Sequence, residues 1–348
     1  MERVTLAHGA GGTVMQEFIS KYIVSKLGGS TVEVPLEALD DAAVVDGIIL
    51  KSDNHTVKPL FFPGGDLGRI SISGTVNDIA AVGGAPIALA AGFILEEGLP
   101  ASDFEKIVDS MRETCDEAGV YVVTGDTKVM EKGSLDKFVI NVSGIGRRSE
   151  FLDSNIEAVK SFREFNSRWL LDSNIRTGDI IISSGYIGDH GVALLAFREG
   201  YGFNSKLTSD VAPLNKLTEK ALKVGGVVSM KDPTRGGLAN LLNEWSDKSN
   251  IGIRIYEDKL PIRESVKSAC EMLGIDPLEI GNEGKMIIAV VPGREEAVLS
   301  AIRRDKYGKD AQIIGEATDK FSGVLLETEI GGKRIIPPPI GDPVPRIC

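Results

Sequence analysis

Only three of the 348 residues are cysteine, three are histidine and two are tryptophan, and aromatic residues make up 6% of the chain. So few cysteines exclude a disulfide-built scaffold, and three thiols cannot all pair internally, which fits a reducing, cytoplasmic compartment. His8 and His55 have no cysteine at metal-ligand spacing, which argues against a zinc site. No G-x-x-x-x-G-K-[ST] occurs and no G-x-G-x-x-G opens a helix, so neither Walker nor Rossmann phosphate binding is indicated. The longest uncharged stretch, Ile79 to Leu95, is interrupted by Gly83-Gly84 and Pro86. It reads as a buried helix, turn and strand rather than a membrane span. Met1-Glu2-Arg3-Val4 lacks the basic-then-apolar pattern of a signal peptide. A net charge of −11 and a pI near 5.0 argue against nucleic acid or an anionic membrane as partner.

What remains is an ordinary soluble composition, 42% apolar and 26% charged, with 40 glycines that fall largely in short clusters. The length suggests two domains. A helix is expected over 13–27. Strand-like runs at 48–51, 120–123 and 138–142 alternate with helical patterns at 73–82 and 102–118, which indicates α/β or α+β architecture. Residues 151–176 are polar and read as a linker. A second unit follows, with strands near 180, 227, 251, 286, 313 and 323 and helices at 192–198, 238–246, 263–273 and 295–302. The expected divisions are 1–155, 156–330 and a tail at 331–348. Cys115 shares a helical face with Phe104, Ile107, Val108 and Met111, and Cys270 with Val266 and Leu273, so both read as core thiols.

Several apolar runs lead into an acid. Ile48–Ser52 runs to Asp53, Val120–Gly125 to Asp126, and Val227–Lys231 to Asp232; Asp78 follows Thr75-Val76-Asn77, and Asp40-Asp41 form a pair. Taken singly, such residues cap helices and favour turns. Gathered at one edge, they would suit a hard divalent cation such as Mg²⁺. Asp232-Pro233-Thr234-Arg235-Gly236-Gly237 begins a helix, and its glycines let a phosphate or another backbone approach. His190, in Gly188-Asp189-His190-Gly191, could bind phosphate or serve as a base, but with no nucleophile beside it reads as structural or as support for neighbouring groups. His8–Gly12 is a glycine-rich loop that would close over phosphates. Lys128, two residues after Asp126, suits a terminal phosphate. Glu283, flanked by Gly281 and Gly284, is either solvated decoration or an exposed general base.

The tail carries five prolines between Pro337 and Pro345 and ends at Cys348. Proline fixes φ and removes donors, so this segment should be an extended strap able to carry a thiol to a pocket, with Gly331-Gly332 and Gly341 as pivots. Otherwise it is a frayed terminus.

Together Gly65–Arg69, Gly74–Ala80, Thr124–Lys128, Gly188–Gly191, Asp232–Gly237 and the closing Pro345-Arg346-Ile347-Cys348 resemble the HypE family of hydrogenase maturation proteins, collinearly from His8 to Cys348. That family lies within the aminoimidazole ribonucleotide synthetase-like (PurM-like) ATP-binding superfamily. The resemblance implies a two-domain fold: an N-terminal α+β domain that builds a β-barrel with its copy in a homodimer, and a C-terminal α/β domain. It implies ATP and Mg²⁺ as cofactors. It also implies dehydration of an S-carbamoyl group on Cys348 to a thiocyanate, the source of a cyanide ligand for [NiFe]-hydrogenase iron. The implied partners are a carbamoyltransferase, HypF, and an iron-carrying HypC–HypD complex. Carried onto this sequence, Cys348 is the carrier, Glu283 the base and Lys128 a phosphoryl stabiliser or base. Asn77, Asp78, Lys128 and Thr234 are nucleotide contacts, and Asp41, Asp53, Asp78, Asp126 and Asp232 are Mg²⁺ ligands. A kinase acting on a free small molecule and a nucleotide-sensing scaffold with a docking tail remain alternatives.

Overall fold

The computed structural model describes residues 3–199 and 207–341. The first sheet has five strands in the order β1-β2-β7-β5-β6: β1 is Ala43–Val45, β2 Ile48–His55, β5 Gly84–Glu96, β6 Val122–Met130 and β7 Phe138–Arg148. A short ribbon of β3 (Phe61–Phe62) and β4 (Gly65–Asp66) precedes the main helix. Helix α1 (Gly12–Ile19) continues through one π turn into α2 (Ser25–Leu27), matching the expected span. Helix α3 (Leu67–Ala81) starts where the Asp66 carboxylate accepts the Arg69 N–H at 3.0 Å. It is buried along nearly its whole length, and small residues permit that: a Cβ on Gly68 would collide with the Ile107 carbonyl of α4 (Ala101–Ala118). Helix α4 buries Ile107, Met111, Cys115 and Ala118 along one stripe, and Gly119 at φ +80° ends it. The sheet is open, with β1 and β6 at its edges, so no barrel closes within the described residues of one chain.

The second sheet has seven strands in the order β14-β13-β10-β12-β8-β11-β9. These are β8 Ile180–Ser183, β9 Val227–Lys231, β10 Gly252–Tyr256, β11 Ile287–Val290, β12 Gln312–Thr318, β13 Gly323–Glu327 and β14 Lys333–Ile336. Helices α5 (Leu152–Lys160), α6 (Asp189–Glu199), α7 (Asn215–Val224), α8 (Gly237–Ser249), α9 (Glu264–Leu273) and α10 (Glu295–Ile302) complete the fold. Strands β9 and β11 are buried throughout, which explains the unbroken apolar run of β11 and the apolar Val227, Val228 and Met230 of β9. The two halves share one core, because Val44, Ile49 and Ile79 pack in the same cluster as Ile182, Met230 and Trp245.

Five expectations need correction. Strand β2 passes through Asp53 and β6 through Asp126 and Lys128, so these residues are not strand-end turns. Asp78 lies late in α3 rather than at its start, because the cap is Asp66. The 151–176 segment contains α5, whose Asn155 bonds both the N–H and the carbonyl of Val227. Residues 333–336 are a sheet strand, so the strap begins after Ile336 rather than at 331. The proposed pivot Gly331-Gly332 is the β13–β14 turn, fixed by Gly331 N–H donating to the Thr328 carbonyl at 2.8 Å.

Candidate active site

A cleft of about 420 Å³ opens between the two sheets. Strand β2 contributes Lys51, Asp53 and His55 to it, α3 contributes Asp78, and the loop before β1 contributes Asp40 and Asp41. From the second half come Lys231 and Asp232 at the end of β9, then Thr234 and Arg235, Glu244 on α8, and Glu283. Helix α1 closes one side with Gly12, Met15 and Ile19.

Backbone chemistry sets these positions. Strand β9 stops at Lys231, and the Asp232 carbonyl accepts the Thr234 N–H at 3.0 Å, beginning the turn into α8. Gly236 and Gly237 both have positive φ, and a Cβ on Gly237 would strike the carbonyls of Leu278 and Ile280. The approach Gly237 allows is therefore that of another backbone. It brings in the Glu283 loop, stitched by the Asn282 N–H donating to the Pro233 carbonyl at 3.0 Å.

Ligand oxygens of Asp41, Asp78 and Asp232 all lie within 4.8 Å of one another. Oxygens bound to a single Mg²⁺ sit about 2.1 Å from it and so at most about 4.2 Å apart; small side-chain shifts would suffice. Two lysines partly neutralise the trio. Lys51 Nζ is 2.6 Å from Asp78, and Lys231 Nζ is 3.0 Å from Asp41. Asp232 makes no ion pair among the described residues. Burial, then the neighbouring Asp78, Asp41 and Glu283, push its carboxyl well above the usual range. Burial likewise raises Asp78 to about 7 against the pull of Lys51, and the charges of Asp41 and Asp53 add to the rise. Asp53 sits 3.6 Å from His55; burial works to raise it, but His55, Lys51 and Arg235 hold it below its ordinary value. Eight acidic side chains against four lysines and arginines line the cleft, and this excess of carboxyl oxygens fits a divalent cation.

Glu283 is a further displaced acid. Burial, followed by the charges of Asp210 and Asp53, pushes its carboxyl up to about 8 against the pull of Arg235. It faces the cleft, so the reading of solvated decoration fails.

Residues with no local signal hold this arrangement together. The buried Asp172 carboxylate accepts from Lys231 at 2.9 Å, Lys248 at 2.8 Å and the Trp245 indole at 2.8 Å. Lys231 also reaches Glu244 at 3.1 Å. These partners come from chain segments far apart in sequence, so spacing could not reveal them. Sequence had identified Asp41, Asp53, Asp78, Asp232, Thr234 and Glu283, and the fold brings these six to one cleft.

Three expected residues lie elsewhere. Asn77 is buried one helix position from Asp78. Its amide donates to the Ala212 carbonyl at 3.1 Å and accepts from Leu214 N–H at 2.7 Å, so it ties the domains together instead of lining the cleft. Asp126 and Lys128 are exposed on edge strand β6. Cys348 falls outside the described residues. His190 is structural as expected: Nδ1 lies 2.7 Å from Ser209 Oγ, and burial holds the ring down to about 4. Cys115 and Cys270 are buried thiols, raised by burial to about 11 and 12.

The strap roots beside the cleft. Asn243 holds the Ile336 carbonyl at 3.1 Å, and the Pro339 carbonyl accepts the Thr13 N–H at 3.1 Å. A Cβ on Gly12 would collide with that same carbonyl, so only glycine admits the strap here.

A two-domain chain with separated aspartates around an interdomain cleft defines a class of protein. Models of the AIR synthase related protein match it, the N-terminal domain over residues 39–148 and the C-terminal domain over 176–326. Carbamoyl dehydratase HypE of Azotobacter vinelandii is 40% identical over 99% of this chain and 97% of its own. A crystal structure of a HypE–HypF complex contains a chain 44% identical, with TM-score 0.84, covering 94% of this chain and all of that one. A crystal structure of hydrogenase maturation protein HypE in complex with ATP is 38% identical, with TM-score 0.79, over 99% of this chain and all of that one. The chain belongs to the HypE family of hydrogenase maturation proteins.

Proposed function

We propose that this protein is an ATP-dependent dehydratase that converts an S-carbamoyl group on its own Cys348 into a thiocyanate, supplying cyanide for the iron of a [NiFe]-hydrogenase. One observation carries this reading: the acid-rich cleft and the root of the Cys-terminated strap share a wall. Gly12 both lines the cleft and receives Pro339. The nine residues from Ile340 to Cys348 can extend at most about 30 Å. That length allows a return into a cleft beginning at the anchor.

The amide oxygen of a carbamoyl group leaves poorly. Transfer of the ATP γ-phosphoryl group to that oxygen, with loss of one N–H proton, gives an iminophosphate and ADP. Loss of the remaining N–H proton with cleavage of the C–O bond then gives the nitrile carbon and phosphate. Glu283 takes a nitrogen proton, a task suited to a buried carboxyl whose proton affinity is raised. Thr234 contacts the nucleotide. Asp41, Asp78 and Asp232, with Asp53 beside them, would hold Mg²⁺, which supplies charge neutralisation for the phosphates.

Asp126 and Lys128 enter from a second copy. Strand β6 is an exposed edge strand carrying Tyr121 70%, Val123 66% and Val129 60% exposed next to it or within it. Such an edge favours pairing with another chain. In a homodimer joined there, the two open sheets close into a barrel and Lys128 reaches the neighbouring cleft, where it stabilises the transferring phosphoryl group. HypF loads the carbamoyl group, a HypC–HypD complex takes the cyanide, and the cycle runs in the cytoplasm.

Mass spectrometry of the full-length protein after incubation with a carbamoyl-loading system and ATP tests this. The C-terminal peptide should carry a carbamoyl mass that becomes lighter by one water. Cys348→Ser should remove both adducts and leave ATP binding intact. ATP turnover with the carbamoyl mass unchanged would defeat the proposal.

A further inference from the structure

Beside Glu283 lies a second buried acid that no motif marked. Asp210 is 3% exposed at its side chain. Its Oδ1 accepts the Glu283 backbone N–H at 3.1 Å, and its Oδ2 lies 3.3 Å from Lys285 Nζ. Lys285 in turn donates to the Gly284 carbonyl at 2.9 Å. The contact is close throughout, since a Cβ on Gly284 would collide with the Asp210 carbonyl. The segment bearing Asp210 is itself fixed at both ends: Ser209 N–H donates to the Pro63 carbonyl at 2.8 Å, and Asn77 holds Ala212 and Leu214. Glu283 therefore sits on a glycine-flanked turn that gains its rigidity from outside, from an interdomain bracket centred on one carboxylate.

We infer that Asp210, with Lys285 as its counterion, is the positioning residue that aims Glu283 into the cleft. It acts through the Glu283 backbone and touches neither nucleotide nor carbamoyl group. A carboxylate was required there because it must accept the N–H of a buried turn and balance a buried lysine at once, which a neutral side chain cannot do. The inference rests on the reading of Glu283 as the base. Misplacing a reacting group by about 1 Å costs roughly 100-fold in rate.

The test measures single-turnover dehydration and ATP affinity in the full-length, carbamoyl-loaded protein. Asp210→Ala should slow dehydration by roughly 100-fold with ATP affinity within about twofold of the parent. In a Glu283→Gln background, Asp210→Ala should add nothing further, because its effect passes through Glu283. A paired variant, Asp210→Asn with Lys285→Met, keeps an acceptor for the Glu283 N–H and removes both buried charges. It should fold and recover most of the rate. If Asp210→Ala lowers ATP affinity as much as rate, or multiplies the defect of Glu283→Gln, the positioning role is overturned. If Glu283→Gln alone leaves dehydration unchanged, the base assignment under Proposed function fails instead.

Discussion

Two regions of this molecule carry the same residue types in opposite surroundings. In the cleft, Asp41, Asp78 and Asp232 are packed between domains with lysines as internal counterions, and burial displaces their carboxyls upward. On β6, Asp126 and Lys128 stand in solvent on an open edge. The difference is one of completeness. The cleft already has walls, an excess of carboxyl oxygens and a positioned acid, whereas β6 has side chains with nothing to act upon until another surface meets it. Under the homodimer proposed above, the chemistry would be conditional on assembly.

The sharpest way to break the comparison is to remove one acid from each region. Asp232→Asn should abolish divalent-cation binding by isothermal titration, a loss of at least 100-fold, since one of three ligands disappears. Asp126→Asn should leave that binding nearly unchanged in monomer and weaken it only in dimer. Equal effects in monomer would mean that the two regions are not distinct.

Next in size is complementation. Lys128→Met and Glu283→Gln should each be inactive as homodimers. Mixed and re-equilibrated in equal amounts, they should recover about a quarter of parental dehydration, because half the dimers then contain one intact composite site. No recovery would place Lys128 outside its neighbour's cleft.

The smallest effect concerns the cleft alone. Glu283 has an ordinary carboxyl value of 4.5 but is held at about 8 when folded. The folded state keeps a proton that the unfolded state releases, so this residue's contribution to stability is present below 4.5 and is lost as pH rises toward 8. Denaturant unfolding without divalent cations should show stability falling by up to about 1.4 kcal/mol per pH unit across that window from this group. Glu283→Gln should flatten that slope. A wild-type slope that survives the substitution would assign the titration to other acids.

What sequence made legible follows from how local each signal was. Glu283 stands out between glycines and was found, whereas Asp232-Pro233 imitates a helix start: α8 begins only at Gly237, with Gly236 in the cap position, because the chain first turns at Asp232–Arg235. The strand boundaries near Asp53 and Asp126 were misjudged because polar residues in a half-solvated strand imitate a turn; only pairing, such as Asp53 opposite Val142, shows the strand continuing. Asp172, Lys231 and Asp210 were missed because their partners lie many tens of residues away, and no periodicity encodes that. Asn77 was misassigned for a related reason. Its neighbour Asp78 faces the cleft, but one step along a helix turns a side chain about 100°, and there it meets the segment at Ala212. The strap's late start has a similar cause, for β14 exists only because β13 is present to pair with it.

Fastening Pro339 to the first turn of α1 has a consequence for kinetics. Cargo carried on a short leash has an effective local concentration set by the leash, on the order of millimolar for short linkers. Dilution of the protein leaves that value untouched. Under the function proposed above, and for as long as the homodimer holds together, the step performed on the tethered cargo would be insensitive to how much protein a cell makes, with supply governed at the loading and unloading encounters with other proteins.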